Sequence, residues 1–402
     1  MEEIELLVVG CGPAGATAAR EAARAGIDTL VLEKDAVIGA KRVCAAGLRP
    51  GFCEQFDLPR AIVHCDTPWL SLFDAGGKQY DLRFGPGHTS TREELDATMA
   101  RLAADDGAQI RTRALFRALR RERNGIVVEY ADLAGGKRCR VAARCVFFAG
   151  GASARLDDPS FGKLAMERWR SGLMTTLQYR EYLDRGADPI AYQTLELHYY
   201  VARDGRQIIA WMFPKRDHLA IGLGVMGKIG ADALRAELDD FTARVRARLY
   251  RHAAVRERKT EGNLLYGGVP RPAVADAGVL AGGTAAGLVD ATNGEGIFEA
   301  AMSGRIAADA ITRERNDAQR ASLRYSALLD ARFRGRLTRR VQLMRYLEGR
   351  PARFGRLFEQ LARTPNLGEV LLKEDRERTM SERLYLYRHA LQFGIRTLGC
   401  HG

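Results

Sequence analysis

The N-terminal part of the chain combines two short apolar runs with a stretch of small residues. Residues 4–9 form a nearly continuous apolar run that ends at a glycine, as buried parallel strands often do. Residues 14–25 are rich in alanine and stop at Gly26, and Pro13 stands where the first helical turn would begin. Residues 27–33, with the apolar segment LVL at 30–32, have the pattern of a second strand. This pattern predicts a strand, a helix and a second strand, which together make a β-α-β unit.

Similar patterns recur further along the chain. The sequence STRE at residues 90–93 is a capping box and predicts a helix that runs to about Asp106. Strand-like runs and one hairpin turn at 134–137 predict strands at 109–116, 126–130, 145–148 and 279–281. Small residues predict a helix at 296–311, and the pattern after Arg313 is helical. The alternation of strands and helices predicts the α/β class.

Composition excludes several classes of protein. The chain has 402 residues, of which 46% are apolar and 28% charged, which is typical of a soluble globular protein. No apolar run reaches the roughly 18 residues of a spanning helix, and the acidic N-terminus does not resemble a secretory signal. Neither the seven cysteines nor the seven histidines have metal-ligand spacing, so we predict no metal site and no disulfide framework. Such cysteine usage favours a cytoplasmic protein.

The positive charge is concentrated near the C-terminus. From Arg313 onward there are 20 basic and 10 acidic residues, against a net charge of +12 for the whole chain. Such a face could bind a nucleic acid, an anionic membrane surface or a phosphorylated substrate. No nucleic-acid-binding motif accompanies it, so we expect no nucleic acid partner.

A glycine-rich turn follows the first predicted strand. Residues 10–15, GCGPAG, fit the pattern GxGxxG, in which Gly10 allows a tight turn and Gly12 lets the backbone approach a pyrophosphate. Gly15 lets the helix pack closely on the strand, and the helix N-terminus favours phosphate. Glu33 closes the second strand, 18 residues after Gly15, where a carboxylate accepts hydrogen bonds from ribose hydroxyls. The pattern predicts a dinucleotide site without distinguishing NAD from FAD.

A second glycine-rich turn separates those two cofactors. Residues 282–289, GGTAAGLV, follow a predicted buried strand, and residues 294–297, GEGI, open the small-residue helix. A glycine turn and a helix N-terminus this far along the chain can hold the ribityl chain and pyrimidine end of a flavin. We therefore expect FAD, and the alternative is a tight turn with no ligand.

With these motifs the sequence resembles the geranylgeranyl reductase family of FAD-dependent oxidoreductases, within the p-hydroxybenzoate hydroxylase-like flavoprotein superfamily. The resemblance covers roughly residues 1–310. Besides the two glycine turns, its pieces are Gly39 with CAAG at 44–47, Arg92 with Leu95 and Asp96, WMFPK at 211–215, GLG at 222–224 and SGR at 303–305. The WxFP…GxG element is the most specific piece, because it separates this family from aromatic hydroxylases and halogenases.

The resemblance implies both an architecture and a site. The architecture is a discontinuous Rossmann-like FAD-binding domain at 1–155 and 270–312, an inserted mixed-sheet substrate-binding domain at 156–269 and a helical C-terminal region at 313–402. The residues implied at the FAD are Gly10, Gly12, Ala14, Gly15, Glu33, Cys44, Ala45, Gly47, Arg92, Thr284, Gly296 and Ile297. The residues implied at an apolar substrate channel are Trp211, Phe213 and Pro214.

Cys44 is the candidate catalytic residue. By the resemblance it lies beside flavin and substrate, where its thiol could orient the alkene or donate a proton. The alternative is a small buried core residue, since cysteine often serves as one.

The sequence departs from the family pattern at three positions. Ile209 stands where relatives have a tyrosine, two residues before the tryptophan, and Thr284 replaces the aspartate of the GDAAG motif. Gly150 replaces the aspartate of the superfamily's DG turn. The Thr284 hydroxyl can still hydrogen-bond a ribityl hydroxyl, whereas Gly150 has no side chain with which to do so.

The activity implied is the saturation of isolated C=C bonds in an isoprenoid (geranylgeranyl) chain by hydride from reduced flavin, with a proton from a protein acid or from water that it holds. No second GxGxxG would bind a nicotinamide, so the electron donor could be transient NAD(P)H or a ferredoxin-like redox partner. Two alternatives are an FAD-dependent monooxygenase or halogenase on the same fold, and a degenerate, non-catalytic flavoprotein that binds lipid or a partner.

The basic tail at 313–402 would then dock a cytoplasmic enzyme on the inner face of an anionic membrane, or hold an anionic head group. Its arginines recur at 332, 334, 336, 339, 340 and 345, with Phe333 and Tyr346 nearby. The alternative is a solvated helical cap that packs through its leucines and phenylalanines.

Overall fold

The structure is a computed structural model that describes residues 1–40, 44–122, 125–152, 156, 158–165, 172–184, 194–227, 229–364, 366–367, 370, 373 and 378–398. Its strands are β1 (Glu2–Val9), β2 (Thr29–Leu32), β3 (Gly47–Leu48), β4 (Cys65–Phe73), β5 (Gln79–Thr89), β6 (Gln109–Arg111), β7 (Ala114–Glu122), β8 (Gly125–Asp132), β9 (Lys137–Phe148), β10 (Leu173–Leu183), β11 (Thr194–Val201), β12 (Gln207–Pro214), β13 (Leu219–Met226), β14 (Val255–Tyr266), β15 (Ala275–Asp276) and β16 (Val279–Ala281). Its helices are α1 (Pro13–Arg24), α2 (Phe52–Gln55), α3 (Arg92–Asp105), α4 (Ala231–Leu249), α5 (Ile297–Arg313), α6 (Ala318–Leu329), α7 (Gly335–Leu347), α8 (Pro351–Arg363) and α9 (Met380–Leu398).

The chain forms two compact units. Unit 1 comprises residues 1–42, 92–173 and 264–341, and unit 2 comprises residues 43–91, 174–263 and 342–402. Each unit contains its own sheet, so the α/β class predicted from the sequence is confirmed. The assignment of one domain to FAD and another to substrate stays a prediction.

Unit 1 is built on a parallel sheet in the order β16-β9-β1-β2-β6. The apolar run that predicted β1 is fully buried at Leu6 and Leu7, as expected for a central parallel strand with both faces covered. β15 pairs antiparallel at one edge, and β7 and β8 extend β9 as antiparallel strands. The strand predicted at 109–116 is instead two strands, because Arg113 between them has φ +55° and turns the chain.

Helix α1 packs on α5 at very short range. A Cβ on Gly304 of α5 would overlap the carbonyl oxygen of Ala14, so only glycine fits there. The N-terminal segment of unit 1 is thereby joined to a segment near residue 300.

Unit 2 contains a mixed sheet in the order β14-β10-β13-β12-β11-β4-β5-β3. Its pairs are antiparallel at β11–β12, β12–β13 and β10–β13, whereas β11 and β4 run parallel. Helix α4 buries Leu238 and Phe241 in the same apolar cluster as Met212 and Ile221. The strand that carries the WxFP sequence is therefore internal to the sheet.

The C-terminal helices divide between the units. Helix α6 and most of α7 belong to unit 1, joined by a π-helical turn at Asp330–Arg334, whereas α8 and α9 belong to unit 2. In unit 2, Phe354 and Phe358 of α8 pack on Tyr199 of β11. None of the helices in the described part of the chain is both long and apolar enough to cross a bilayer.

Candidate functional site

The first glycine turn of unit 1 is sterically restricted to glycine at two positions. Gly10 has φ +96°, and a Cβ on it would lie 2.6 Å from the carbonyl oxygen of Ala149. A Cβ on Gly15 would overlap the carbonyl oxygen of Gly10. Around Gly12 the nearest atom to an added Cβ is the Arg92 Nη2, 3.4 Å away. Gly10 and Gly15 thus shape the turn, while Gly12 borders accessible space beside a guanidinium group.

Glu33 is fixed at the end of β2 by the turn itself. The Cys11 N–H donates to Glu33 Oε2 at 2.8 Å, and the Asp35 N–H donates to Oε1 at 3.0 Å. The side chain is buried, with 2% exposure. A carboxylate has about four lone-pair sites, so Glu33 can also accept hydrogen bonds from ribose hydroxyls.

Arg92 stands at the start of α3, next to the glycine turn. Its Nε and Nη2 donate to the two oxygens of Asp96 at 2.8 and 2.6 Å, and the Asp96 carboxylate is 1% exposed. A bidentate pair of this kind fixes the plane of the guanidinium group. The backbone of Arg92 also abuts Gly39, where a Cβ would lie 2.5 Å from the Arg92 carbonyl oxygen. The pair therefore fixes a cation beside Gly12 of the glycine turn.

The second glycine turn lies against the first one. Gly283 has φ +55°, and a Cβ on it would be 3.3 Å from the Cβ of Ala14. Thr284 is half-buried between the buried residues Gly283 and Ala285, and its hydroxyl has no partner among the described residues. Gly296 caps α5 without a side-chain hydrogen bond, which leaves the first N–H groups of that helix to a ligand or solvent.

These observations fit FAD. The glycine turn has room for a diphosphate beside a fixed cation, the buried carboxylate suits a ribose, and the Thr284 hydroxyl suits a polyol chain. No side chain caps α1, so its N-terminus is available for an anion. Of the unit 1 residues predicted for the cofactor, Gly10, Gly12, Ala14 and Gly15 lie with Glu33 and Arg92, and Gly283, the neighbour of Thr284, contacts Ala14. Gly296 and Ile297 lie at the start of α5, and the role of all these residues at FAD stays a prediction.

The remaining predicted residues lie in unit 2, beginning with a short loop that precedes β3. The Cys44 side chain is half-buried, and its Sγ accepts a hydrogen bond from the Ala46 N–H at 3.3 Å. Ala46 is 1% exposed and adopts φ +46°, a left-handed conformation that alanine disfavours. Its carbonyl oxygen accepts from the Ser90 N–H at 3.0 Å. The surrounding contacts therefore hold this loop in a conformation that its own sequence does not prefer.

The aromatic strand β12 contacts that loop. A Cβ on Gly47 would lie 2.6 Å from Phe213 Cε2, so the ring lies directly against the glycine. The Thr89 hydroxyl donates to the Pro214 carbonyl oxygen at 2.7 Å. Unit 2 thus brings Cys44, Ala45 and Gly47 together with the predicted channel residues Phe213 and Pro214.

Trp211 has its own fixed position two residues earlier. Its indole N–H donates to Gln178 Oε1 at 2.9 Å. The ring lies over Gly222 of the neighbouring strand, where any Cβ would overlap it. The first glycine of the GxG sequence is thus required by the tryptophan of the WxFP sequence.

Lys215 is the residue that sequence reasoning missed as part of the site. It directly follows Pro214, is 1% exposed, and donates from Nζ to the Ala45 carbonyl oxygen. Its neighbour His218 is also buried, and burial lowers the pKa of that imidazole, with the Lys215 charge as a further cause. The available signal was that Lys215 ends the WMFPK motif, but a lysine beside an apolar segment is usually exposed.

Part of the basic segment at 332–346 makes contacts inside unit 1, while the predicted role of the tail at a membrane stays a prediction. Phe333 is 1% exposed and belongs to the core. Three of the arginines form ion pairs, Arg334 with Asp330, Arg336 with Glu299 and Arg340 with Asp290. The helical pattern placed these residues on one helix, but it did not reveal which carboxylates the fold brings to them.

Comparison with known proteins identifies relatives of this chain. A family model described as FAD dependent oxidoreductase matches residues 5–147. The digeranylgeranylglycerophospholipid reductase of Methanoculleus marisnigri is 30% identical over 336 residues, which cover 77% of this chain and 76% of that protein. The geranylgeranyl diphosphate reductase of Rhodobacter capsulatus is 26% identical, covering 76% of this chain and 74% of that protein.

Among solved structures, a geranylgeranyl bacteriochlorophyll reductase-like protein from Thermoplasma acidophilum superposes with a TM-score of 0.72. It is 23% identical and covers 96% of each chain, so that likeness supports the fold. Together with the glycine turns and the WxFP strand, these matches show that the chain belongs to the geranylgeranyl reductase family of FAD-dependent oxidoreductases.

Proposed function

We propose that this enzyme saturates isolated C=C bonds of a geranylgeranyl chain carried by a lipid or a diphosphate. The observation that carries the proposal is the aromatic strand of unit 2, whose Phe213 ring covers Gly47 beside the loop of Cys44. An apolar, aromatic wall suits a long hydrocarbon. The relatives named above act, by their names, on digeranylgeranylglycerophospholipid and on geranylgeranyl diphosphate.

We propose that unit 1 holds FAD through its two glycine turns and the side chains beside them. Gly12 and the N-terminus of α1 would receive the diphosphate, Arg92 would neutralise it, and Glu33 would bind the ribose. Thr284 would hydrogen-bond the ribityl chain. When bound, FAD supplies the hydride-transfer chemistry, and the protein supplies binding and orientation.

Cys44 would serve the proton side of the reaction. Because its Sγ already accepts the Ala46 N–H, the thiol proton remains available for donation toward a substrate. An isolated alkene is poorly electrophilic, so its protonation must accompany or precede the arrival of hydride. The acid must therefore be held within reach of one alkene carbon, and a thiol on a fixed loop meets that demand.

Anaerobic reoxidation tests the proposal. The FAD-loaded protein is reduced with dithionite and mixed with geranylgeranyl diphosphate or digeranylgeranylglycerophospholipid, and recovery of oxidised flavin absorbance is followed together with product mass. We expect reoxidation with a mass gain of two hydrogens per bond, and none with the fully saturated analogue as the control. A protein that reacts only when oxygen is admitted would be a monooxygenase or halogenase instead.

The same assay addresses the electron donor. We propose that electrons arrive from transiently bound NAD(P)H or from a small ferredoxin-like carrier. Replacing dithionite by each candidate in turn, under anaerobic conditions, separates them by the rate at which flavin absorbance falls. A protein that binds no flavin at all would instead support the degenerate, non-catalytic alternative.

We further propose that the enzyme meets its lipid at an anionic membrane surface through α9. Met380, Leu384, Tyr387 and Leu391 of this helix are 48–74% exposed. Their spacing of three and four residues puts them on one face. Arg383 and Arg388 lie on either side of this apolar stripe at helical spacing, and an apolar face bordered by arginines is typical of helices that lie in a lipid interface.

Vesicle co-sedimentation tests this surface. We expect Leu384→Ser/Leu391→Ser to reduce pelleting with anionic vesicles. Pelleting of the wild type should weaken as salt rises, because the screening length of electrostatic attraction falls to about 8–10 Å near physiological salt. The matched control is Leu323→Ser/Leu328→Ser, which changes two exposed leucines of α6 in unit 1. Equal pelleting of both double variants would refute the assignment to α9.

A further inference from the structure

Lys215 is a buried cation at a position where a lysine would ordinarily face solvent. It occupies the turn between β12 and β13, where its N–H donates to the His218 carbonyl oxygen at 2.8 Å. Its side chain nevertheless turns inward and is 1% exposed. Burying an ammonium group is costly unless it is hydrogen-bonded. The contacts of the buried Lys215 ammonium group must therefore offset the free energy of the hydration that it loses.

One contact of the Lys215 ammonium is to the loop of the candidate acid. Its Nζ donates to the carbonyl oxygen of Ala45, the residue between Cys44 and Ala46. Its Nζ also lies 5.8 Å from the centroid of the Phe213 ring. One cation therefore contacts both the loop and the aromatic residue that covers Gly47.

The loop needs such a contact because its conformation is strained. Ala46 has φ +46°, which for a residue with a Cβ is unfavourable. In this conformation the Ala46 N–H points to Cys44 Sγ. If the loop relaxed, that hydrogen bond would be lost and the thiol would move.

We propose that Lys215 is a positioning residue that fixes the Cys44 thiol through the Ala45 carbonyl. It acts on the reaction through Cys44 and does not itself touch the alkene. This inference rests on the proposed function for its catalytic meaning, but the position of the thiol can be measured without any substrate.

Alkylation of Cys44 by iodoacetamide, followed by peptide mass spectrometry, measures that position. Cys139 of unit 1 is also half-buried and serves as the internal reference. In Lys215→Met we expect Cys44 to be alkylated about tenfold faster, as the loss of one hydrogen bond to a charged group implies, while Cys139 is unchanged. General destabilisation would instead accelerate both cysteines.

Two further variants separate positioning from simple stability. Adding Ala46→Gly to Lys215→Met removes the strain at the left-handed position, so we expect Cys44 alkylation to slow again toward the wild-type rate. The matched charge control is Lys78→Met, an exposed lysine of the same unit, for which we expect no change. An unchanged Cys44 rate in folded Lys215→Met would overturn the proposal.

Turnover links the thiol to the reaction. We expect Lys215→Met to lower kcat with little effect on KM. If Lys215→Met does not fold, Lys215→Arg is tested in its place. In that variant the rate of Cys44 alkylation and kcat must either both change or both stay at the wild-type value. Fast alkylation of Cys44 with wild-type kcat, or low kcat with slow alkylation of Cys44, would refute Lys215 as a positioning residue. Failure of isoprenoid reduction in the wild type would refute the proposed function and leave the alkylation result intact.

Discussion

The two units hold their candidate residues by different means. In unit 1 the glycine turns are defined by backbone against backbone, as where a Cβ on Gly10 would lie 2.6 Å from the Ala149 carbonyl oxygen. In unit 2 the loop before β3 is held by one backbone hydrogen bond from Ser90 and, in addition, by two side chains, the Lys215 ammonium and the Phe213 ring. Contacts between backbone atoms tolerate only glycine, whereas contacts made by side chains can be weakened step by step by different substitutions. Unit 1 should therefore respond to substitution in an all-or-none way, and unit 2 by degrees.

The largest effect is expected from Gly15→Ala, because its Cβ would overlap the Gly10 carbonyl oxygen. Overpacking against backbone costs about 3 kcal/mol, and unfolding should start roughly 10 °C lower. The matched control is Gly12→Ala in the same turn, whose Cβ meets nothing nearer than 3.4 Å. Gly12→Ala should melt like the wild type without added flavin but bind FAD about 10–100 times more weakly, because its Cβ occupies the diphosphate space.

Differential scanning fluorimetry of the apoprotein and a flavin titration measure the two effects. If Gly12→Ala kept full flavin affinity, the diphosphate could not lie at this turn. If Gly15→Ala melted with the wild type, the steric account of unit 1 would fail.

A graded effect is expected from Trp211→Ala in unit 2. Loss of a large apolar contact costs about 1.5–3 kcal/mol, so kcat/KM for the geranylgeranyl substrate should fall about 10–100-fold. Flavin content should not change. The matched control is Trp69→Ala on β4 of the same sheet, a tryptophan that is 44% exposed. Comparable losses in both variants would argue against a substrate channel at Trp211.

The smallest effect is expected at Thr284, where the second glycine turn of unit 1 carries a side chain that can be exchanged. Thr284→Val removes a single hydrogen bond of about 1 kcal/mol and should raise the Kd for FAD about fivefold. Thr284→Asp should bind FAD as tightly as the wild type or more tightly, because a carboxylate accepts several hydrogen bonds. Equal flavin affinity of the valine variant and the wild type would remove Thr284 from the ribityl chain.

The contrast between units also explains what could be predicted from the sequence. Strand β1, helix α1 and strand β16 follow from local apolar patterns and glycine positions, since those signals are local in the chain. The α/β class and the family membership followed from the same turns and are confirmed. The contact between Gly283 and Ala14 could be expected from the sequence, because both glycine turns were predicted to bind the same cofactor.

Residues whose role depends on distant partners could not be predicted. The burial of Lys215 depends on Ala45, which is far away in sequence, and no local pattern indicates it. From the sequence, Arg336 and Arg340 were interpreted as part of a basic surface. In the fold they form ion pairs with Glu299 and Asp290. Helical spacing gives the face of a residue on its own helix, whereas ion pairs depend on the whole tertiary arrangement.

The discontinuity of unit 1 has a consequence for how the enzyme is made. Its first helix cannot complete its packing until Gly304 has been synthesised, because α5 closes on Ala14. At roughly 5–20 residues per second, the ribosome needs about 15–60 s to cover that interval. During this time the face of α1 that packs on α5 is without its partner. The nascent chain must therefore hold α1 without this contact until α5 has been made, and any cofactor site that needs both segments forms only then.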